Sequence, residues 1–207
     1  MRLYLLLMEE IKCRFDVINS AYRNVDGFPP GMVREICYLQ FRLLCEIIAL
    51  GCLIAHGDIS ETRALHDTYE PGKIIKKMER LNPDFYPQPV EVTGSTITGR
   101  SDLPHLTKQE LPKLWARSGH ILHRAPMAKF LETSKPSPVD FSDIMEWAEK
   151  IRILLNSHWI TLSPGKAMVV GLVEKDTKRA FAHVYTFRGD GTAKLTIIRV
   201  AGTPIPQ

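Results

Sequence analysis

"AMVVGLVEKDTKRAFAHVYTFRGDGTAKLTIIRVA", Ala167 to Ala201, decides how this chain is built. Its apolar positions recur every second residue, whereas those further upstream recur with a helical period. "KDTKR" and "RGDGT" divide it into three pieces of strand length, and both dividers have turn composition. Three antiparallel strands joined in sequence, a β-meander, follow from that pattern. Within "AFAHVYTF", Phe181, His183, Tyr185 and Phe187 fall on one face, and Ala180, Ala182, Val184 and Thr186 on the other. A three-stranded sheet needs a covering, so the large-residue face is expected against helices. Left open, the same aromatics, near Arg188 and Arg199, would offer bases a stacking surface.

Upstream of Pro164 the pattern is helical. Residues 2–23 carry Leu6, Ile11, Phe15, Ile18 and Tyr22 at helical spacing, without glycine or proline, until "VDGFPPG" interrupts. A second helix is expected from near Gly31 to "AHG", with Gly57 just past its end. It is apolar nearly all round, which predicts the central buried helix. Glu35, Arg42 and Glu46 nevertheless share a stripe about 40° wide on it. Buried charges are costly unless paired, so this stripe is either an Arg42–Glu46 salt bridge or a surface facing a cleft or a subunit partner.

Ser60 can cap a short helix reaching Tyr69, and Pro71 suits the first turn of another reaching Leu81. Residues 82–106 form an ordered excursion in which "VEVTGSTIT" predicts a hairpin turning at Gly94-Ser95. Thr107 and Glu110 make a capping box for the next helix, Pro126 stops it, and "MAKFLE" adds one further turn. Asp140 or Ser142 opens the last helix, with Ile144, Trp147, Ala148, Ile151 and Leu155 on one face. The expected fold class is α+β. A mainly helical body of five to six helices occupies residues 1–160, and a three-stranded antiparallel β-meander occupies 161–207.

The totals suit one globular domain, or one with an appendage: 207 residues, 44% hydrophobic and 24% charged. A net charge of +4 permits a polyanionic partner without requiring one. Cys37, Cys45 and Cys52 lie in one expected helix, about 12 and 10 Å apart along its axis. That is too far for disulfides or for sharing a metal, so they read as buried reduced thiols of a cytoplasmic protein. The apolar run in "MRLYLLLMEEIKCRF" is too short for a signal peptide, and Glu9 and Glu10 follow it at once. "LLCEIIALGCLIA" contains Glu46 and is about seven residues short of a span, so no membrane is expected. No glycine-rich phosphate loop, Cys-x2-Cys or His-Glu-x2-His occurs, hence no metal and no cofactor are expected.

The densest chemistry lies in "WARSGHILHRAP", Trp115 to Pro126. On a continuous helix Arg117, His120 and Arg124 share a face, and His123 is displaced by about 60° from His120. Gly119 weakens the helix beneath them, close to the Pro126 stop. A histidine exchanges protons near neutral pH, and an arginine beside it stabilises a phosphate as its charge rises. That pairing is the minimum for metal-free RNA cleavage, and it also binds phosphate without cutting. Cationic side chains favour helix C-termini for dipole reasons as well.

The Arg117-x5-His123 spacing, with Ser118 directly after the arginine, resembles the Arg-x4–6-His motif of the HEPN (higher eukaryote and prokaryote nucleotide-binding) helical family. The expected antiparallel helices and "EICYLQFRLLCEIIAL" are similar to that family too, over about residues 1–160. The resemblance implies dimers whose paired motifs line a cleft, and active members that are metal-independent ribonucleases. Arg117 and His123 would take the family's catalytic positions; His120 has no counterpart there. A second pair, Arg152 to His158, has Ile153 after its arginine and matches less well.

The expectation is therefore a cytoplasmic, dimeric protein that binds RNA or nucleotides. His123 would act as general acid or base, Arg117 would stabilise the phosphate, and His120 and Arg124 would hold substrate. The alternative is a non-catalytic interaction module whose helical body dimerises and whose meander docks a protein partner.

Overall fold

A computed structural model describes residues 1–23, 27–57, 62, 65, 67–93, 96–123, 140–175, 177–187 and 193–199. Two long helices come first, α1 (Arg2–Arg23) and α2 (Pro30–Ala55), where the periodicity put them. Pro30 opens α2 in the first turn, where a missing N–H costs nothing. The helix buries Val33, Phe41, Leu44, Ile48 and Cys52 on several sides, as its apolar circumference requires. By length and composition alone α2 could cross a membrane, but 67% of its most apolar window is buried inside the fold. Gly51 lets α1 approach: a Cβ there would stand 3.2 Å from the Tyr4 ring.

Helix α3 (Pro71–Leu81) starts at its expected proline. Helix α4 (Glu110–Leu122) opens on the expected capping box. The Thr107 N–H donates to Glu110 Oε2 at 3.0 Å, and the Glu110 N–H donates to Thr107 Oγ1 at 3.2 Å. Helix α5 (Ser142–Asn156) begins where the Ser142 N–H donates to Asp140 Oδ1. Most of the helix expected after Ser60, the "MAKFLE" turn, Arg124, Pro126 and the "RGD" turn lie outside the described residues.

The β layer is larger than a three-stranded meander, and here the expectation needs correction. Six antiparallel strands form one sheet: β1 (Gln88–Thr93), β2 (Thr96–Gly99), β3 (Ser157–Ser163), β4 (Lys166–Gly171), β5 (Phe181–Phe187) and β6 (Ala193–Arg199). Their spatial order is β2-β1-β3-β4-β5-β6. Strand β3 follows α5 without a loop, so the switch of period comes at Ser157, ahead of Pro164. "SHWITLS" does alternate, with His158, Ile160 and Leu162 buried, but no turn residue separates it from the helix. The hairpin of the 82–106 excursion joins the same sheet through Gln88 opposite Trp159 and Pro89 opposite His158. That pairing spans about seventy residues and leaves no local trace.

The face of β5 that meets the helices is also the opposite of the expected one. Residues directly opposite each other in a ladder share a face. Met168 pairs with Val184, Val170 with Ala182, and Ile160 with Met168. All of these are buried in one core with Tyr4, Leu5, Met8, Ile151 and Leu155. The small residues of β5 therefore face the helices. Trp159, Phe181, His183, Tyr185 and Phe187 lie on the opposite face, where each keeps some exposure. β3 and β4 supply the bulk at the helix side, and register then fixes β5. Two contacts clamp that arrangement: Tyr4 Oη to His158 Nε2 at 2.7 Å, and the Ala180 N–H donating to the buried Glu9 carboxylate at 2.6 Å.

Candidate functional site

Every fourth residue of α2 from position 34 to position 46 is polar: Arg34, Tyr38, Arg42 and Glu46. Spacing of four keeps them on one side of the helix, and that side meets α4 and α5. At one end of this seam Arg42 lies across the Trp115 ring, 4.1 Å from its centroid, with its Nε 3.5 Å from Glu46 Oε1. Trp115 Nε1 donates to the same Glu46 oxygen at 2.8 Å. The salt-bridge reading of the stripe therefore holds for Arg42 and Glu46, while Glu35 is exposed. Gly119 now has a packing reason: a Cβ there would sit 2.8 Å from Arg42 Nη1.

The other end of the seam holds Arg117. Asp143, in the first turn of α5, receives both Nη1 and Nη2 of Arg34, the former at 2.8 Å. It also accepts the Tyr38 hydroxyl at 2.6 Å and Nη2 of Arg117. Tyr38 closes the ring by accepting Arg117 Nε at 3.0 Å. One carboxylate thus serves two guanidiniums and a phenol. Burial alone would raise its pKa, but the hydrogen bonds from Arg34 and Tyr38 and the two positive charges bring it down to about 2. Tyr38 moves the other way, up to about 12, chiefly through burial and then through its bond to Asp143. The Asp140 carboxylate is turned to the N–H and hydroxyl of Ser142.

The Arg117 side chain is 49% exposed, and its Nη1 has no hydrogen-bond partner among the described residues. His120 is exposed in the last turn of α4, about 60° round the helix from Arg117. His123 is the C-cap, with extended backbone (φ −84, ψ 133), and is exposed as well. Neither imidazole bonds to another described residue. Arg117 and His123 therefore occupy the same helix end, but the ring of bonds around Asp143 includes only Arg117. Ser118, the polar residue of the motif, turns into the core and donates to the Leu114 carbonyl at 2.8 Å.

The second Arg–His pair is split between surface and core. Arg152 is exposed and bound to Glu149. His158 is buried, with Nδ1 3.0 Å from the Leu155 carbonyl, and burial lowers its pKa to about 4 against the raising effect of that bond. His56 is likewise interior, between the carbonyls of Cys52 and Thr161. A cavity of about 440 Å³ between α1, α2 and the start of α3 is lined by Glu10, Arg14, Glu46, Asp67 and Tyr69 and does not reach Arg117. Among the described residues no three His, Cys, Asp or Glu side chains gather in a way that could hold a metal ion.

No family model, curated protein or solved structure matches this chain. Sequence reasoning found Arg117 but missed Arg34, Tyr38 and Asp143, its companions. They come from segments 26 to 83 residues away, and the only local trace is the four-residue spacing of Arg34, Tyr38, Arg42 and Glu46 on α2.

Proposed function

We propose that the protein binds RNA or a nucleotide at the outer end of the polar seam, with Arg117 as the phosphate ligand. The observation that carries the reading is the sharing of Asp143 by Arg34 and Arg117, which leaves Nη1 of a half-exposed guanidinium without a partner among the described residues and so available to an anion. Bonds from Tyr38 and Asp143 orient that guanidinium before any ligand arrives, which lowers the entropy cost of binding. In the catalytic form of the proposal, His123 removes the ribose 2′-OH proton. The 2′-oxygen then attacks the adjacent phosphorus, Arg117 stabilises the crowded phosphate, and the departing 5′-oxygen takes up a proton. A 2′,3′-cyclic phosphate results, with no redox change. His120 and Arg124 hold the substrate in this scheme.

The second reading is a non-catalytic interaction module. What favours it is that Arg117 already ties α2, α4 and α5 together, while His123 stands outside that cluster. One experiment separates the two: incubation of a labelled RNA pool with the protein in excess chelator, for wild type, His123→Ala and Arg117→Ala. Cleavage that persists in chelator and falls by about 10²–10⁴ in His123→Ala supports catalysis. Binding without cleavage, lost in Arg117→Ala, supports the phosphate site alone. Neither binding nor cleavage by folded wild type at micromolar concentration sinks the RNA reading.

A further inference from the structure

The sheet is covered on one side only among the described residues. Helices α1 and α5 pack on the face carrying Ile160, Met168, Val170 and Val184. On the open face the rings of Trp159, Tyr185 and Phe187 form a triangle, with centroids 6.3, 6.3 and 6.4 Å apart. The Tyr185 plane lies within 18° of Trp159 and 17° of Phe187. Rings stacked on one another would bring their planes to about 3.5–4 Å, so at these separations they lie side by side. Strands β3 and β5 stand about 10 Å apart with β4 between them, so the rings meet only by leaning over β4. Beneath them Ala167 and Val169 are 2% and 3% exposed, although the helices lie on the opposite face. The Trp159 indole is laid along its own strand by donating Nε1 to Thr161 Oγ1 at 3.2 Å. Rings that cover a neighbouring strand with one face present the other to solvent, and Phe187 accordingly stays 47% exposed.

We propose that this face binds single-stranded nucleic acid, with unpaired bases stacked on the platform of Trp159, Tyr185 and Phe187. Three observations select that occupant. The first is shape: every base has a π face, so flat-lying rings take up unpaired bases whatever their sequence, whereas a duplex keeps its bases stacked on each other. Gln88, exposed on β1 directly opposite Trp159, adds an amide that can donate and accept at the edge of a stacked base. The second is charge. The register puts Arg199 opposite Phe181, on this face, and no aspartate or glutamate of β3–β6 stands there. A phosphate chain crossing the face therefore meets basic charge and no opposing acid, on a protein whose net charge is +4. The third is area. Strands about 4.8 Å apart rising about 3.3 Å per residue give β3–β6 a face of about 430 Å². A protein seated on it would bury about 860 Å² in total, short of the roughly 1,000 Å² of a specific interface. Stacked bases need no such area, because each contributes separately.

The site is separate from the arginine cluster and does not rest on the reading given to Arg117. Its test is the fluorescence anisotropy of a labelled single-stranded RNA of about 12 nucleotides that cannot pair with itself, beside an abasic strand of the same length. The abasic strand keeps every phosphate and lacks the bases. Wild type is expected to bind the RNA at least about tenfold more tightly than the abasic strand. Phe187→Ala and Tyr185→Ala should each weaken RNA binding by about 5- to 150-fold, the range of one lost stack, with the abasic strand unaffected. Phe187→Trp, which restores a flat ring, should bind as wild type, and so should Thr196→Ala on the other face of the sheet. Arg117→Ala should leave the preference for bases intact, which tells failure of one site from failure of the other. Equal binding of the two strands overturns the proposal, as does RNA binding that is absent, or unchanged in both alanine variants. A preference for bases that vanishes in Arg117→Ala but survives in Phe187→Ala places the bases at the arginine cluster and is equally fatal. If wild type shows no such preference and is a dimer that Phe187→Ala makes monomeric, the face belongs to a protein partner and the proposal is wrong.

Discussion

Asp143 shows how much one side chain can hold. Its two oxygens receive Arg34, Arg117 and Tyr38 from two other helices, with the side chain only 18% exposed. Asp143→Asn removes the charge but keeps the shape, leaving two half-buried guanidiniums without their shared partner. We expect a loss of about 2 kcal/mol in urea unfolding, less than a fully buried pair would lose because water still reaches the site. His158 governs a different pH range. Its imidazole is neutral in the fold and titrates near 4, against about 6.5 in an unfolded chain. Between those values the unfolded state binds the extra proton, so stability is complete above pH 6.5 and falls as pH drops toward 4. The loss attributable to His158 is about 3 kcal/mol at its largest. Asp143, with its lowered value of about 2, adds a further loss as pH falls from about 4 toward 2. Unfolding free energies measured from pH 7 to 3 should slope in both windows, and His158→Gln should flatten the upper one alone. A wild-type curve flat between pH 6.5 and 4.5 would contradict a neutral buried imidazole.

Among the elements, those whose information is local were legible from the sequence. Pro71–Leu81, the start of α4 at its capping box and the start of α5 at Asp140–Ser142 all follow from caps and prolines within a few residues. Thr107→Ala tests the best of these: it removes one side-chain acceptor and one donor and should cost about 1 kcal/mol, read by thermal melting. What escaped the sequence is long-range. β3 was hidden because α5 runs into it with no punctuation, and the pairing of the β1–β2 hairpin with β3 has no local signature at all. The facing of β5 was misread because its own alternation says that two faces differ, but not which is covered. That choice belongs to Ile160, Leu162, Met168 and Val170 on the neighbouring strands. The candidate site follows the same division. "WARSGHILHR" marked Arg117, His120 and His123, while Arg34, Tyr38 and Asp143 became visible only when three helices met. Gly171→Ala examines the open face at this scale: its methyl group would displace the Phe181 ring and should lower stability by about 1–3 kcal/mol.

At the scale of the whole molecule, α2 is the common support. It packs against α1, α3, α4 and α5, so no helix can leave without uncovering it. Its three cysteines make that dependence measurable. Cys37, Cys45 and Cys52 are buried and unpaired, and burial pushes their thiols up, Cys37 to about 11. Cys13 on α1 is exposed. A thiolate reagent added to the native protein should therefore consume one of the four thiols quickly. The remaining three should react only through opening events that expose α2. If α2 is the centre of one cooperative unit, those three label at a common rate, and urea accelerates them together in step with global unfolding. Stepwise labelling would have a different meaning. Cys37 reacting ahead of Cys45 and Cys52 would show the Arg34–Tyr38–Asp143 end of α2 opening on its own. The seam would then be held together chiefly by its charges, with the core contributing little at that end. Repeating the measurement in Asp143→Asn decides between these outcomes, because loosening that end should speed Cys37 selectively only in the second case.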